Sequence, residues 1–218
     1  MEKFLNYIQV FLLAFFLCFI IGKTIYIKRK NKINPIALNI RRDGIRHILE
    51  IILFLIVNIW SFEVLFYALN LEFRIFGWPL NIKLFETNYL RFLGLALIII
   101  GFILFVWALI NLGTSWRLGI DETRPGKLVK FGIYRYCRHP IYVFFNLYFL
   151  GTFLIWANLI FLILWITVAA ILHYQAIAEE RFLTKIYTQQ YQNYKENVGR
   201  YISVKPSVYR QFSKELEE

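Results

Sequence analysis

Long apolar runs alternate with charged stretches along the whole chain. The runs cover 4–27, 48–69, 89–112 and 140–178, and Lys, Arg, Asp and Glu concentrate between them. A helix rises about 1.5 Å per residue, so roughly 20 apolar residues cross the hydrocarbon layer of a bilayer. The first three runs each supply one span. The fourth is about twice that length, and its middle, Trp156-Ala157-Asn158, joins an interfacial aromatic to a turn-forming Asn, which predicts two helices in a tight hairpin. The fold expected is all-α and polytopic, with about five transmembrane helices, the last two forming that hairpin. Beyond it, Glu180, Leu183, Tyr187, Tyr191, Tyr194 and Val198 recur every three or four residues, predicting a helix that leaves the membrane and continues unbroken as an amphipathic tail.

Composition agrees, with 59% hydrophobic and 19% aromatic residues among 218, well beyond the balance of a water-soluble domain. The first run is too long for a secretory leader and lacks a small-residue cleavage pattern, so it is expected to stay in the mature chain. Charge in the connectors sets an expected orientation. Residues 28–46 carry Lys28, Arg29, Lys30, Lys32, Arg41, Arg42 and Arg46 against Asp43, and residues 113–139 carry Arg117, Arg124, Lys127, Lys130, Arg135 and Arg138 against Asp121 and Glu122. Residues 71–87 hold only Arg74 and Lys83 against Glu72 and Glu86. The two basic connectors and the tail from Glu179 are therefore expected in the cytoplasm, with the amino terminus outside. A net charge of +11 is explained by cations beside spans, where insertion bias and anionic headgroups place them, and nucleic acid is not an expected partner. Cys18 and Cys137 fall at different levels and lack metal-ligand spacing, so neither a disulfide nor a metal is expected. No internal repeat or low-complexity linker divides the chain, which reads as one domain: three spans in 1–112 and a chemistry-bearing region in 113–218.

Three polar stretches on the expected cytoplasmic side can carry chemistry. In "SWRLGIDETRPGKLVKFGIYRYCRHP", 115–140, Pro140 is suited to the first position of a helix, whose free N–H groups, with Arg138 and His139, can hold a carboxylate or phosphate. The alternative is a basic loop that anchors the membrane, with His139 capping the helix. In "HYQAIAEERFLTKIYTQQYQNYKENV", 173–198, Glu179 and Glu180 either face water or meet cations and ligand hydroxyls. The tyrosine stripe either packs at the interface or contacts a ligand. In "VGRYI", Gly199 marks the helix end, and Arg200 can fold back toward the glutamates, bind an anionic ligand, or touch lipid.

Taken together, "GIYRYCRHPIY" (132–142) followed some forty residues later by "EERFLTKIYTQQYQNYKENVGRYI" (179–202) resembles the isoprenylcysteine carboxyl methyltransferase family of integral membrane enzymes, in particular its prokaryotic members. The resemblance covers roughly the carboxyl-terminal half and leaves the first two spans unmatched. It implies an S-adenosylmethionine cofactor at the cytoplasmic face of a prokaryotic inner membrane, with a lipophilic methyl acceptor arriving through the bilayer. It also implies catalytic roles for Arg138, Arg200 and Glu180, and cofactor contacts from His139, Pro140, Tyr142, Tyr134, Glu179, Glu180 and Tyr191. Two positions depart from the family pattern. Thr188 follows Tyr187 where a Gly is usual, and Gly199 precedes the arginine where Pro is frequent.

The residues are compatible with that chemistry. Nothing like GxGxxG follows a strand, so the common doubly wound methyltransferase fold is excluded. Methyl transfer from a sulfonium to a carboxylate or thiolate needs placement and dryness more than proton transfer, and Arg138, Arg200 or Arg117 can hold an acceptor carboxylate. The tail helix, with Arg200 as a latch, is expected to act as a lid. Two rival functions are a nicotinamide-dependent membrane reductase of the sterol type and a non-catalytic lipid-binding scaffold. No residue selects among acceptors.

Overall fold

The computed structural model describes residues 2–31, 45–71, 73, 75–76, 80, 82–113 and 128–202. Arg117, the rest of 114–127, most of the 28–46 connector and the tail from 203 lie outside them. Among the described residues five α-helices follow the apolar runs: α1 (Glu2–Asn31), α2 (Ile45–Ala68), α3 (Asn88–Leu112), α4 (Pro140–Trp156) and α5 (Leu159–Asn197). α1, α2, α3 and α5 are long and apolar enough to cross a membrane, and α4 is a shorter apolar helix of 17 residues. Large apolar side chains such as Phe11, Phe54, Ile103 and Ile110 are exposed on the outside of the helices, where lipid takes the place of water. The chain is an integral membrane protein.

α3 and α4 form the most extensively packed pair, and small residues are the reason. A methyl group on Gly94 would meet the Gly151 carbonyl oxygen at 2.5 Å, and one on Gly151 would meet the Gly94 carbonyl at 2.5 Å. The two backbones touch there, as small residues permit in membrane helices. Away from that contact the core is aromatic. Phe105 stacks on Phe144 at 4.4 Å, Trp60 stacks on Phe149 at 4.7 Å, and Phe16 from α1 lies 5.6 Å from Phe144. Offset and edge-on pairs of this kind add to plain burial.

The hairpin turn falls where the sequence indicates, with one difference. Ala157, not Asn158, takes the left-handed conformation (φ 55°), while Asn158 is extended at the N-cap of α5. Asn158 Nδ2 instead donates to the Tyr67 hydroxyl, binding the turn to the end of α2.

The larger difference lies in the tail. The predicted unbroken helix is interrupted at Thr188, whose φ of 43° and ψ of −122° are not helical. The chain folds back there, because Arg138 Nη2 lies 2.7 Å from Glu180 while its Nη1 lies 2.8 Å from the carbonyl of Lys195. In an unbroken helix those two residues would be about 22 Å apart. The periodicity of the tyrosine stripe is real on either side of the break, and tertiary contacts override it at one residue.

Candidate functional site

The site is built where the start of α4 meets the two arms of α5. A 3₁₀ turn, Gly132–Arg135, delivers the chain to it. Gly132 has φ 62°, and a Cβ there would lie 2.0 Å from Asn111 Oδ1, so only glycine fits. Asn111, in the last turn of α3, accepts the Ile133 N–H at 2.9 Å and fixes the turn. Sequence reasoning missed Asn111; the only signal was a glycine ahead of a basic cluster. Pro140 is the first residue of α4, as its lack of an N–H favours, and His139 is the N-cap. The His139 ring makes no capping bond and turns toward α5.

Glu180 is the centre. Its side chain is 3% exposed, and its Oε1 accepts from Arg138 Nη2 (2.7 Å), Arg200 Nε (2.9 Å) and His139 Nε2 (3.2 Å), while Oε2 accepts from Arg200 Nη2 (3.0 Å). Arg138 is held on its other side by the carbonyls of Lys195 (2.8 Å) and Val198 (2.6 Å). The backbone joins in: Arg138 N–H donates to Gly199 O and His139 N–H to Arg200 O, each at 3.1 Å. Arg200 thus takes the fold-back position, one of the three the sequence left open. Glu179 points the other way round His139, with Oε2 3.5 Å from Nδ1 and 3.1 Å from the donating Tyr142 hydroxyl. The Tyr142 and His139 rings stack with an interplanar angle of 13°.

Both ring nitrogens of His139 therefore face a carboxylate, a geometry met only when both carry protons. Burial alone would lower the pKa of the ring, but hydrogen bonds and charge from Glu179 and Glu180 outweigh it and hold the pKa above the ordinary value. Burial pushes the Cys137 thiol up to about 12, so it stays protonated and is no nucleophile; its Sγ lies 3.5 Å from the Arg200 carbonyl oxygen.

The remaining predicted residues line the same region. Tyr134 is buried in the 3₁₀ turn beside Ala108 and Ile133, and its carbonyl accepts the Tyr194 hydroxyl at 2.7 Å. Tyr191 packs with Tyr194 and Val198 and is 1% exposed, within electrostatic range of Glu180, Arg138 and Arg200. Its hydroxyl has no hydrogen-bond partner among the described residues, a costly arrangement for a buried polar atom. Two motifs forty residues apart thus meet on one carboxylate.

The model of the phospholipid methyltransferase family matches residues 89–190. The matched segment is just under half of the chain and runs from the start of α3 to just past the break in α5. It contains Tyr134, Arg138, His139, Pro140, Tyr142, Glu179 and Glu180, and stops short of Tyr191 and Arg200. Over that segment the chain is similar to a family of membrane methyltransferases, one related to the isoprenylcysteine enzymes that the two motifs resemble. No curated protein matches the chain.

Proposed function

We propose that the protein transfers a methyl group from S-adenosylmethionine to a lipophilic acceptor, an isoprenylcysteine-like carboxylate or another small lipid or thiol, at the cytoplasmic face of a prokaryotic inner membrane. The observation that carries this reading is the convergence of Arg138, His139 and Arg200 on Glu180, with Glu179 alongside, inside or beside a segment similar to membrane methyltransferases.

The residues suit the cofactor's polar parts. A methionine moiety carries a carboxylate and an ammonium, and the cluster supplies both complements. Arg200, 28% exposed at its side chain, suits the anion. Glu179, 31% exposed, suits the ammonium or a ribose hydroxyl. The buried Tyr191 hydroxyl, without a partner of its own, suits one further polar contact. Once bound, S-adenosylmethionine supplies a methyl group on a cationic sulfur. The chain contributes orientation: Tyr142 fixes Glu179, Glu180 fixes the two arginines, and the tyrosines of the second α5 arm keep water out. Arg138 has its guanidinium engaged on both sides by Glu180 and the α5 carbonyls, which leaves Arg200 better suited to an acceptor or cofactor carboxylate.

Calorimetry in nanodiscs tests the reading. S-adenosylhomocysteine is expected to bind and NADPH to give no heat. His139→Ala is expected to weaken that binding by roughly ten- to a hundredfold, because it leaves Glu179 and Glu180 without the imidazolium that positions them. NADPH binding with no response to S-adenosylhomocysteine would overturn it. Tritium transfer from labelled cofactor into a lipid extract then identifies the acceptor.

A further inference from the structure

From the ion cluster, polar side chains continue into the apolar length of α4 and α5. The Tyr142 hydroxyl donates to Glu179 at 3.1 Å, and that pair sets the register of the two antiparallel helices. One turn further along α4 stands Asn146, and one turn back along α5 stands Gln175. The same register puts the two amides at one level, about 6 Å beyond Glu179 toward the hairpin turn. Asn146 Nδ2 donates to the Tyr142 carbonyl at 2.9 Å. Gln175 shares a face of α5 with Glu179 and with the core residue Leu172, and its Nε2 is buried with no hydrogen-bond partner among the described residues. α2 packs against α5, and its Glu50 lies within electrostatic range of Tyr142. Methyl transfer as derived above uses neither amide.

We propose that Gln175, with Asn146 beside it, forms a subsite for the acceptor lipid that takes a carbonyl oxygen, of an amide or an ester, about one helical turn from the atom that receives the methyl group. A buried amide N–H with nothing to donate to is costly in a membrane span, and a bare hydrocarbon chain passing it leaves that cost in place. An acceptor oxygen removes it. The carboxylates of Glu50 and Glu179 on the same side repel an anion, so the oxygen that fits is an uncharged one, while an acceptor carboxylate stays with Arg200. The subsite thus selects lipids by a polar group next to the reacting end, independently of the length of their chain. What it serves rests on the methyltransferase reading.

Two probes test it in detergent micelles: N-acetyl-S-dodecylcysteine and 3-(dodecylthio)propionate, which share chain, sulfur and carboxylate and differ by the acetamide. The wild-type protein is expected to bind the first roughly tenfold more tightly, the worth of one hydrogen bond. Gln175→Met keeps the length of the side chain and removes the amide, and it should bind the two probes alike. Its affinity for S-adenosylhomocysteine should stay within about twofold of wild type, because the cofactor groups lie on the other side of Glu179. Asn146→Leu, on the neighbouring helix, should lower the preference as well. Equal affinity of the wild type for the two probes, absence of binding included, would overturn the subsite. So would a preference that survives Gln175→Met, since the amide would then hold an ordered water only. A preference that Gln175→Met abolishes, with no labelled methyl appearing on either probe, would keep the subsite and overturn methyl transfer to a carboxylate. Methyl transfer to both probes with the same KM would keep the reaction and overturn the subsite.

Discussion

At the Ala157 end of the bundle, the segment before α3 and the α4–α5 turn are tied by main chain: Leu84 N–H donates to Ala157 O at 2.7 Å and Leu159 N–H to Ile82 O at 3.2 Å. Tyr67, Trp156 and Phe161 pack around that junction. At the His139 end, ionised side chains do the corresponding work, with one glutamate accepting from two arginines and a histidine. Backbone bonds and aromatic contacts respond little to pH or to a charged ligand. A buried ion cluster responds to both, and its partners can be exchanged for groups brought by a ligand. The contrast identifies which end is sensitive to pH and to charged ligands.

Breaking the ionic end at its centre should have the largest effect. Glu180→Ala leaves Arg138, 7% exposed at its side chain, without its carboxylate, and stability should fall by about 3–5 kcal/mol, read as a lower thermal midpoint in detergent together with loss of S-adenosylhomocysteine binding. Equal stability of the variant would mean that the cluster is an ornament of the fold.

A smaller effect comes from pH. The His139 pKa is raised in the folded state, so its contribution is fully present below the ordinary histidine value and fades as pH rises through the folded value. The thermal midpoint should therefore decline on the alkaline side of about pH 6.5, and His139→Gln should flatten that decline. An unchanged slope in the variant would assign the pH dependence elsewhere.

The smallest effect is expected at the other end. Glu86 is exposed and pairs with Lys83 and Arg91 at 3.3 and 2.9 Å; those cations hold its carboxyl below the usual range. Solvent screens such pairs, and Glu86→Gln should leave the thermal midpoint within error. A maleimide reporter at Leu84 sharpens the comparison further, since it should react from outside the cell if the His139 end is cytoplasmic.

Much of this was legible from the sequence. Spans of twenty apolar residues leave few alternatives, and Pro140 marks the start of α4 because its ring and missing N–H suit that position alone. The pairing of the two motifs and the singling out of Glu180 were legible through resemblance, and the convergence of Arg138, Arg200 and His139 on that one carboxylate was not, because spacing along a chain does not say which distant side chains meet. Thr188 shows the limit most plainly. Periodicity reports which face of a helix is apolar and is silent about a break at a single residue; the one hint was that Thr188 stands where the resembled family usually has Gly. Asn111 was hidden for the same reason, being an ordinary helix-end residue until Gly132 is folded against it.

Cys137 turns the closed site into a chemical clock. Burial pushes its thiol up to about 12, so thiolate is scarce at ordinary pH, and its sulfur lies 3.5 Å from the Arg200 carbonyl oxygen. Alkylation of the native protein then requires local opening around that buried thiol. The slow phase of iodoacetamide uptake at Cys137, set against the prompt reaction of exposed Cys18, reports how often this end of the molecule opens without any engineered probe.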